Sequence, residues 1–257
     1  MWLAIAYSYF LSTSLLKNEI LFISDLHLAF EKPEVTKRFL DFLDTYANKA
    51  KSLYILGDLF DSWVGDDDFT PPGNKIKRHL KKLTTSGTTV YFQPGNRDFL
   101  IGKQFCQETG VTLLEDYAVI DLFGTPTLLM HGDLLCSDDL PYLAFREKSH
   151  TPEWINDVLS KPLPLRLLYA RWYRFRSFLH KRKKNQEIMD VNQNTVIDTM
   201  RQYGVQRLIH GHTHRPAVHD FLIDYQPAQR FVLAEWTKSE ASSLKWLDSG
   251  YSIINLA

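Results

Sequence analysis

The sequence has no excess of one charge. Its 30 Lys and Arg offset 30 Asp and Glu across 257 residues, so net charge points to no class of partner. Cysteine is scarce as well. Cys106 and Cys136 stand far apart without CxxC spacing, which excludes a disulfide framework and a zinc knuckle and reads as a reduced compartment. No internal repeat or low-complexity stretch is present. The one long uncharged run, MWLAIAYSYFLSTSLL at residues 1–16, is shorter than the roughly 20 residues a membrane-spanning helix needs. No basic residue precedes Lys17, which argues against a secretory signal. Three readings of that run stay open: an extra helix or strand, a weak anchor, or an upstream start codon with little part in the fold. A hydrophobic share of 44% with 23% charged residues is globular rather than disordered, and the length suits one large α/β domain.

What is present is a series of short apolar runs with strand character: Ile20–Ser24, Leu53–Leu56, Val90–Gln93, Thr127–Met130 and Arg207–His210. Helical patterns lie between several of them, as at Glu34–Ala47 and Lys75–Leu83. Such alternation predicts a layered α/β domain. The runs lead into SDLH, GDLFD, PGNRD, HGD and GHTH. In α/β sheets ligands gather past the carboxyl ends of strands, so these loops are expected to meet on one rim. Asp121–Thr125 reads as a hairpin turn. Turn residues at Tyr225–Pro227 and Asp248–Gly250 predict antiparallel strands completing a second sheet. An insertion is expected at about 137–187, within a domain running from residue 19 to 257 after an N-terminal extension of 1–18.

The loops offer Asp25, His27, Asp58, Asn96, His131, His212 and His214. Imidazole with carboxylate suits Mn, Fe, Co or Zn rather than calcium. There are too many ligands for one tetrahedral site, and the set suits two ions if a carboxylate bridges. Two such ions clamp a phosphoryl group and activate water near neutral pH. Singly, each motif has a plain structural reading: DxH as a cap, GD and GNRD as turns. GHTH is stronger, because side chains two apart share one side of an extended segment. Together, in order and each after a strand, they favour the two-metal reading. A scaffold that had lost its metals would show gaps, and all the positions are filled.

DLH, GDLFD, GNRD, HGD and GHTH, in that order, resemble the calcineurin-like metallophosphoesterases. The resemblance implies a four-layer α/β/β/α sandwich with a helical lid insertion. It implies that Asp25, His27, Asp58 and His214 hold one ion, that Asp58 bridges, and that Asn96, His131 and His212 hold the other. Asn96 and Arg97 are then the catalytic candidates. Most of that superfamily has His after the Asn, able to act as a general acid. Arg97 cannot give up a proton near neutral pH but can neutralise phosphate oxygens by paired hydrogen bonds. A leaving alkoxide needs a proton; a leaving phosphate does not. Arg97 therefore points to a phosphoanhydride substrate.

Longer phrases narrow the resemblance. LYILGDLFDSWVGDDD, GNRDFLIGK, MHGDLLCSDDLPYLAFR, IMDVNQN and LIHGHTHRPAVH are similar to the UDP-2,3-diacylglucosamine hydrolases over roughly residues 20–234. This implies attack of water on the α-phosphorus, yielding UMP and 2,3-diacylglucosamine 1-phosphate (lipid X) for lipid A, with Mn2+ as the expected metal. Implied contacts to the acylated sugar-nucleotide substrate are Asn96, Arg97, Asp139, Ser177, Lys181, Lys184 and His212, with Lys181 standing where the family often has Asn. The alternative within enzymes is a dinuclear phosphoesterase acting on nucleotide polyphosphates.

From Val158 to Gln186 there is no acidic residue, while Lys161, Arg166, Arg171, Arg174, Arg176, Lys181, Arg182, Lys183 and Lys184 are basic. Leu165, Leu168, Trp172, Phe175 and Leu179 fall at helical spacing on one face. Such a helix suits an anionic membrane surface, here the cytoplasmic face of the inner membrane. The plainer reading is a core-packing helix with a solvated basic face. A nucleic-acid partner is not expected, because the aromatics follow core spacing rather than an exposed stacking platform.

Overall fold

The computed structural model describes residues 17–181, by backbone alone over 175–181, and residues 190–256. Residues 1–16 and Lys184 lie outside the described residues. The first sheet is built on parallel strands β1 (Ile20–Ile23), β2 (Ser52–Leu56), β3 (Thr89–Gln93) and β4 (Thr112–Leu113). Helices α1 (Pro33–Thr45), α2 (Gly73–Thr85) and α3 (Lys103–Thr109) make the crossovers. A hairpin, β5 (Ala118–Leu122) and β6 (Thr125–Leu129), opens the second sheet. Next come α4 (Leu140–Ser149), α5 (Pro152–Leu159) and α6 (Leu163–Lys181). Then α7 (Gln193–Gln202), β7 (Arg207–His210), β8 (Ala217–Ile223), β9 (Gln226–Val232), β10 (Ser242–Leu247) and β11 (Gly250–Asn255) complete the order.

Strand alternation sets the layers. In β1 and β2, Leu21, Ile23, Leu53 and Ile55 pack with Phe39, Ile76 and Phe105 of the three crossover helices. Their neighbours Ile20, Phe22, Tyr54 and Leu56 face Leu129, Ile209 and Phe231 of the second sheet. On that sheet's far side Leu128 and Leu208 meet Val196 and Met200 of α7. The result is the expected helix–sheet–sheet–helix sandwich. Strand β2 reads SLYIL and is buried throughout, as a parallel strand covered on both faces should be.

The five strands anticipated from the apolar runs all form, as does the turn at Asp121–Thr125. The C-terminal expectation needs correction. Only β8 and β9 join the second sheet, whose order is β5-β6-β7-β9-β8. The last hairpin pairs β10 antiparallel to β1 and extends the first sheet to six strands, β11-β10-β1-β2-β3-β4. Leu244 and Trp246 thereby cover the space between the sheets, a destination that alternation alone does not reveal.

Within the expected insertion, Asp139 caps α4 through Tyr142 N, and Thr151 caps α5 through Trp154 N. The apolar stripe of α6 does not pack into a core at its described positions. Leu168 is 62% and Trp172 51% exposed, and Leu165 is exposed too. Among the described residues of this helix, the buried one is Arg166, 4% exposed. It pairs with Asp67 and donates to the Val64 carbonyl at 2.6 Å. The side chains of Phe175 and Leu179 lie outside the described residues.

Candidate metal centre

The candidate ligands follow strand ends on one rim. Asp25 and His27 follow β1, Asp58 follows β2, Asn96 and Arg97 follow β3, His131 follows β6, and His212 and His214 follow β7. Five of them have left-handed backbone, with φ of 56° at Asp25, 47° at His27, 53° at Asp58, 69° at His212 and 55° at His214. Such a conformation costs a residue with a Cβ on the order of 1–2 kcal/mol, and concentrations of it mark functional sites. Cross-loop bonds hold it: Asp25 N to Gly57 O at 3.1 Å, His27 N to Asp58 O at 2.9 Å, Gly211 N to His131 O at 2.9 Å and Trp236 N to Asp25 O at 3.0 Å. Two glycines permit the close approach. A Cβ on Gly95 would lie 2.3 Å from Asp58 Oδ1, and one on Gly211 would lie 2.3 Å from Asp25 Oδ2.

The side chains fall into two sets. In one, His214 Nε2 lies 3.4 Å from both Asp25 Oδ1 and His27 Nε2. In the other, Asn96 Oδ1 lies 3.0 Å from His131 Nε2 and from His212 Nδ1, and those two nitrogens are 3.2 Å apart. Asp58 stands between them, Oδ2 3.8 Å from His27 Nδ1 and Oδ1 3.7 Å from His131 Nε2. This is the placement a bridging carboxylate requires.

The hydrogen-bond inventory shows that acceptors converge here. His131 Nδ1 lies 2.9 Å from the Leu56 carbonyl, so it carries a proton, and in the neutral ring that metal binding requires Nε2 turns a lone pair toward Asn96 Oδ1. His214 Nδ1 lies 2.9 Å from Glu235 Oε2, so its Nε2 likewise turns a lone pair on Asp25 Oδ1. Asp25 Oδ1 and His27 Nδ1 are buried and make no hydrogen bond among the described residues. With neutral imidazoles these atoms are acceptors facing acceptors, so the cluster is satisfied only by positive charge, a metal cation or, without one, protons on the imidazoles. The charge balance agrees. Burial disfavours a charged His131, yet Asp58, Asp25 and Asp133 outweigh it and hold its pKa up at about 9. Burial likewise opposes charge on His214, but Asp25 and Glu235 lift it to about 9. Asp58 is pushed up to about 7 by burial. His212 is driven down to about 3 by burial and by His131.

The other expected contacts are less concentrated. Arg97 lines a groove of about 1000 Å³ with Phe60, Asp61, Trp63, Leu168 and Arg174, between α6 and the loops after β1 and β2. Arg174 pairs with Asp61 across it. Asp139 is occupied in capping α4. Ser177 and Lys181 sit on the last turns of α6, with side chains outside the described residues. A second cavity of about 550 Å³, lined by Thr125, Arg207 and Leu222 among others, lies at the opposite end of the strands and includes none of the candidate ligands.

Three supporting residues escaped the sequence reading. Asp98 accepts from the backbone N–H groups of Gly95, Phe60 and Asp58 at 2.8, 3.1 and 3.3 Å, tying two ligand loops together. Asp133 accepts from Tyr142 and, at 2.8 Å, from Arg146 Nε, which joins α4 to the His131 loop. Glu235 orients His214. The first two lie inside the GNRD and HGD motifs. Glu235 follows β9 on the same rim, and its position past a strand end was the available signal.

The calcineurin-like phosphoesterase model matches residues 19–216. The chain is 50% identical over 219 residues to a UDP-2,3-diacylglucosamine hydrolase of Pseudomonas entomophila, covering 85% of this chain and 91% of that one. It is 50% identical over 226 residues to the enzyme of that name from Escherichia coli K12, covering 88% and 93%. With the Enterobacter sp. (strain 638) protein of the same name it shares 49% over 235 residues, covering 91% and 97%. Coverage of this breadth at half identity, over a rim whose acceptors converge as described, places the chain in the calcineurin-like phosphoesterase family and, within it, among the UDP-2,3-diacylglucosamine hydrolases.

Proposed function

We propose that this protein cleaves the pyrophosphate bond of UDP-2,3-diacylglucosamine, releasing UMP and 2,3-diacylglucosamine 1-phosphate in lipid A synthesis. The observation that carries the reading is the meeting of two sets of metal-donor side chains beside Arg97, at the mouth of a groove of about 1000 Å³. Half-identity to hydrolases of that name gives the substrate.

Asp25, His27 and His214 would hold one divalent ion, Asn96, His131 and His212 the other, with Asp58 shared. The imidazole and carboxylate donors suit Mn, Fe, Co or Zn, and Mn2+ is the metal the resemblance to the hydrolases implies. Bound there, such ions polarise the phosphoryl group and make water nucleophilic near neutral pH. Asn96 and Arg97 hold the diphosphate, and Arg97 neutralises charge growing on its oxygens. The water gives up one proton to solvent, and its oxygen bonds to the α-phosphorus as the bond to the bridging oxygen breaks. The electron pair leaves on the sugar phosphate, an anion stable without a proton, so the position after Asn96 need not supply an acid. The exposed apolar face of α6 and its basic flank suit a membrane-embedded acyl substrate, with Ser177, Lys181, Lys184 and Asp139 as further contacts. Among the described residues no helix is long and apolar enough to cross a membrane, so the proposed attachment is peripheral.

The test is an Mn2+-dependent assay with UDP-2,3-diacylglucosamine in 18O water. UMP carrying the label is the expected result. Label in the sugar phosphate would overturn the site of attack. Turnover of diadenosine polyphosphates with none of the acylated substrate would overturn the assignment.

A further inference from the structure

Behind His212 lies a buried pair that no step above uses. His210 closes β7 and is fully buried. Arg230 of β9 is 5% exposed and sits two residues from Val232, the partner of His210 in the register. With side chains alternating along the strand, both residues face the α7 side of the sheet. Arg230 Nη1 lies 3.2 Å from His210 Nε2. A guanidinium has donors only, so Nε2 accepts and the imidazole proton sits on Nδ1. That Nδ1–H donates to the Gly211 carbonyl at 2.8 Å.

The same carbonyl accepts Thr213 N at 2.8 Å. This bond closes a three-residue γ-turn centred on His212, whose φ of 69° belongs to the rare, strained hand of that turn. From this turn His212 N donates to Asp25 Oδ2 at 2.9 Å, and its Nδ1 faces Asn96 Oδ1 at 3.0 Å. Strain of this kind persists only where the surroundings over-determine it. A buried guanidinium is itself costly to keep. Next to Leu208 and Ala228 of the α7 layer, an aliphatic side chain would meet the packing need alone.

We propose that Arg230 and His210 are positioning residues for His212. Arg230 fixes the His210 tautomer, and the Nδ1–H so directed pins the Gly211 carbonyl and the turn that aims His212. This rests on the reading of His212 as a metal ligand under the proposed function.

The test is a double-mutant cycle on the full-length protein stripped with EDTA, read by titration with Mn2+ alone. Arg230→Met is expected to weaken one of two Mn2+ sites by about tenfold or more, as loss of an outer partner does, and to spare the other. His210→Asn keeps an N–H within reach of the Gly211 carbonyl without needing Arg230. In that background Arg230→Met should change the affinity by no more than about twofold, the limit within which independent changes add. Equal losses in both backgrounds, or no loss in either, would overturn the proposal, because a merely structural Arg230 predicts additivity. If Arg230→Met does not fold, Arg230→Gln, too short to reach His210, takes its place in the cycle. Absence of Mn2+ binding by the unsubstituted protein would defeat the metal reading itself, and this inference with it.

Discussion

Glu235 and His214 form a carboxylate–imidazole pair, Oε2 to Nδ1 at 2.9 Å, that leaves His214 Nε2 turned toward Asp25 and His27. The carboxylate fixes the tautomer and makes the imidazole a better donor to a cation. Glu235→Gln keeps the contact without the charge, and Glu235→Ala removes both. The Mn2+ concentration for half-maximal activity should rise about tenfold in the first and nearer a hundredfold in the second. Thermal stability of the loaded protein should change little, since Glu235 is half-buried and on a loop. Unchanged metal dependence in Glu235→Ala would remove this role.

The metal-free site carries its positive charge on protons. His131 and His214 titrate at about 9, above the ordinary value of 6.5, because the carboxylates around them outweigh burial. A raised folded-state pKa contributes stability that is fully present below the unfolded value and is lost as pH climbs through the folded one. EDTA-stripped protein should therefore lose melting temperature between pH 6.5 and about 9. Asp58, pushed up to about 7 by burial, acts in the same direction as pH rises to neutrality. With Mn2+ bound, the imidazoles are already deprotonated and the dependence should flatten. Scanning calorimetry of both forms across this range checks the difference, and parallel curves would contradict it.

Arg97 tests the leaving-group argument. Its backbone is fixed by the N–H bond to Asp58 Oδ1 at 2.9 Å and by Trp63 N to its carbonyl at 3.1 Å, so substitution should spare the metal loops. Arg97→Ala should lower kcat by about a hundredfold or more, as loss of a transition-state donor does, with two Mn2+ still bound. Arg97→Lys should recover only part, lacking the paired geometry. If Arg97→His gained phosphodiesterase activity and kept its pyrophosphatase activity, the residue would not discriminate between leaving groups.

How far the sequence carried depends on the kind of information. The gathering of the candidate ligands past strand ends was legible because a strand is a short apolar run and its end is marked by Gly, Asp or His. The pairing of β10 with β1 was not legible, since residues more than two hundred apart carry no periodic trace of each other. The acidic run Asp66–Asp68 shows the same limit. Asp66 caps α3 at Gly102 N and Phe105 N, Asp67 anchors Arg166, and Asp68 accepts from Thr70 N. Three adjacent carboxylates thus take three unrelated structural tasks. On α6 the basic residues read as suited to an anionic membrane surface or, in the plainer reading, to solvent, yet Arg166 turns inward, because its partner Asp67 lies far back in the chain.

That inward arginine is the joint between α6 and the sandwich. Arg166 holds Asp67, the Val64 carbonyl at 2.6 Å and the Lys161 carbonyl at 2.9 Å. Arg166→Ala leaves those groups without their shared donor and should loosen α6 over the groove. Because α6 forms one wall and the metal loops another, KM for the acylated substrate should rise about tenfold while Mn2+ affinity stays constant. Proteolysis within 160–175 should quicken. Hydrogen exchange resolved by segment separates this outcome from general destabilisation, which would speed exchange in β1–β3 as well.

The exposed stripe of α6 supplies the last prediction. Leu168 and Trp172 turn more than half their surface to solvent, at 62% and 51%, and Leu168 shares the lining of the groove with Phe30, 73% exposed. A solvated patch of this size is costly unless something apolar meets it. Arg171 and Arg174 flank it, so an anionic bilayer satisfies both parts of the surface, the rings entering the interface and the guanidinium groups meeting headgroups. Leu168→Ser with Trp172→Ser should reduce binding to phosphatidylglycerol vesicles, read by sedimentation, by well over tenfold, since Leu168→Ser alone withdraws three carbons at roughly 0.8 kcal/mol each. Metal content and melting temperature should not change, since neither side chain is buried. Retention by these vesicles at the unsubstituted level would mean that the stripe covers acyl chains one substrate at a time, without docking the enzyme on the membrane.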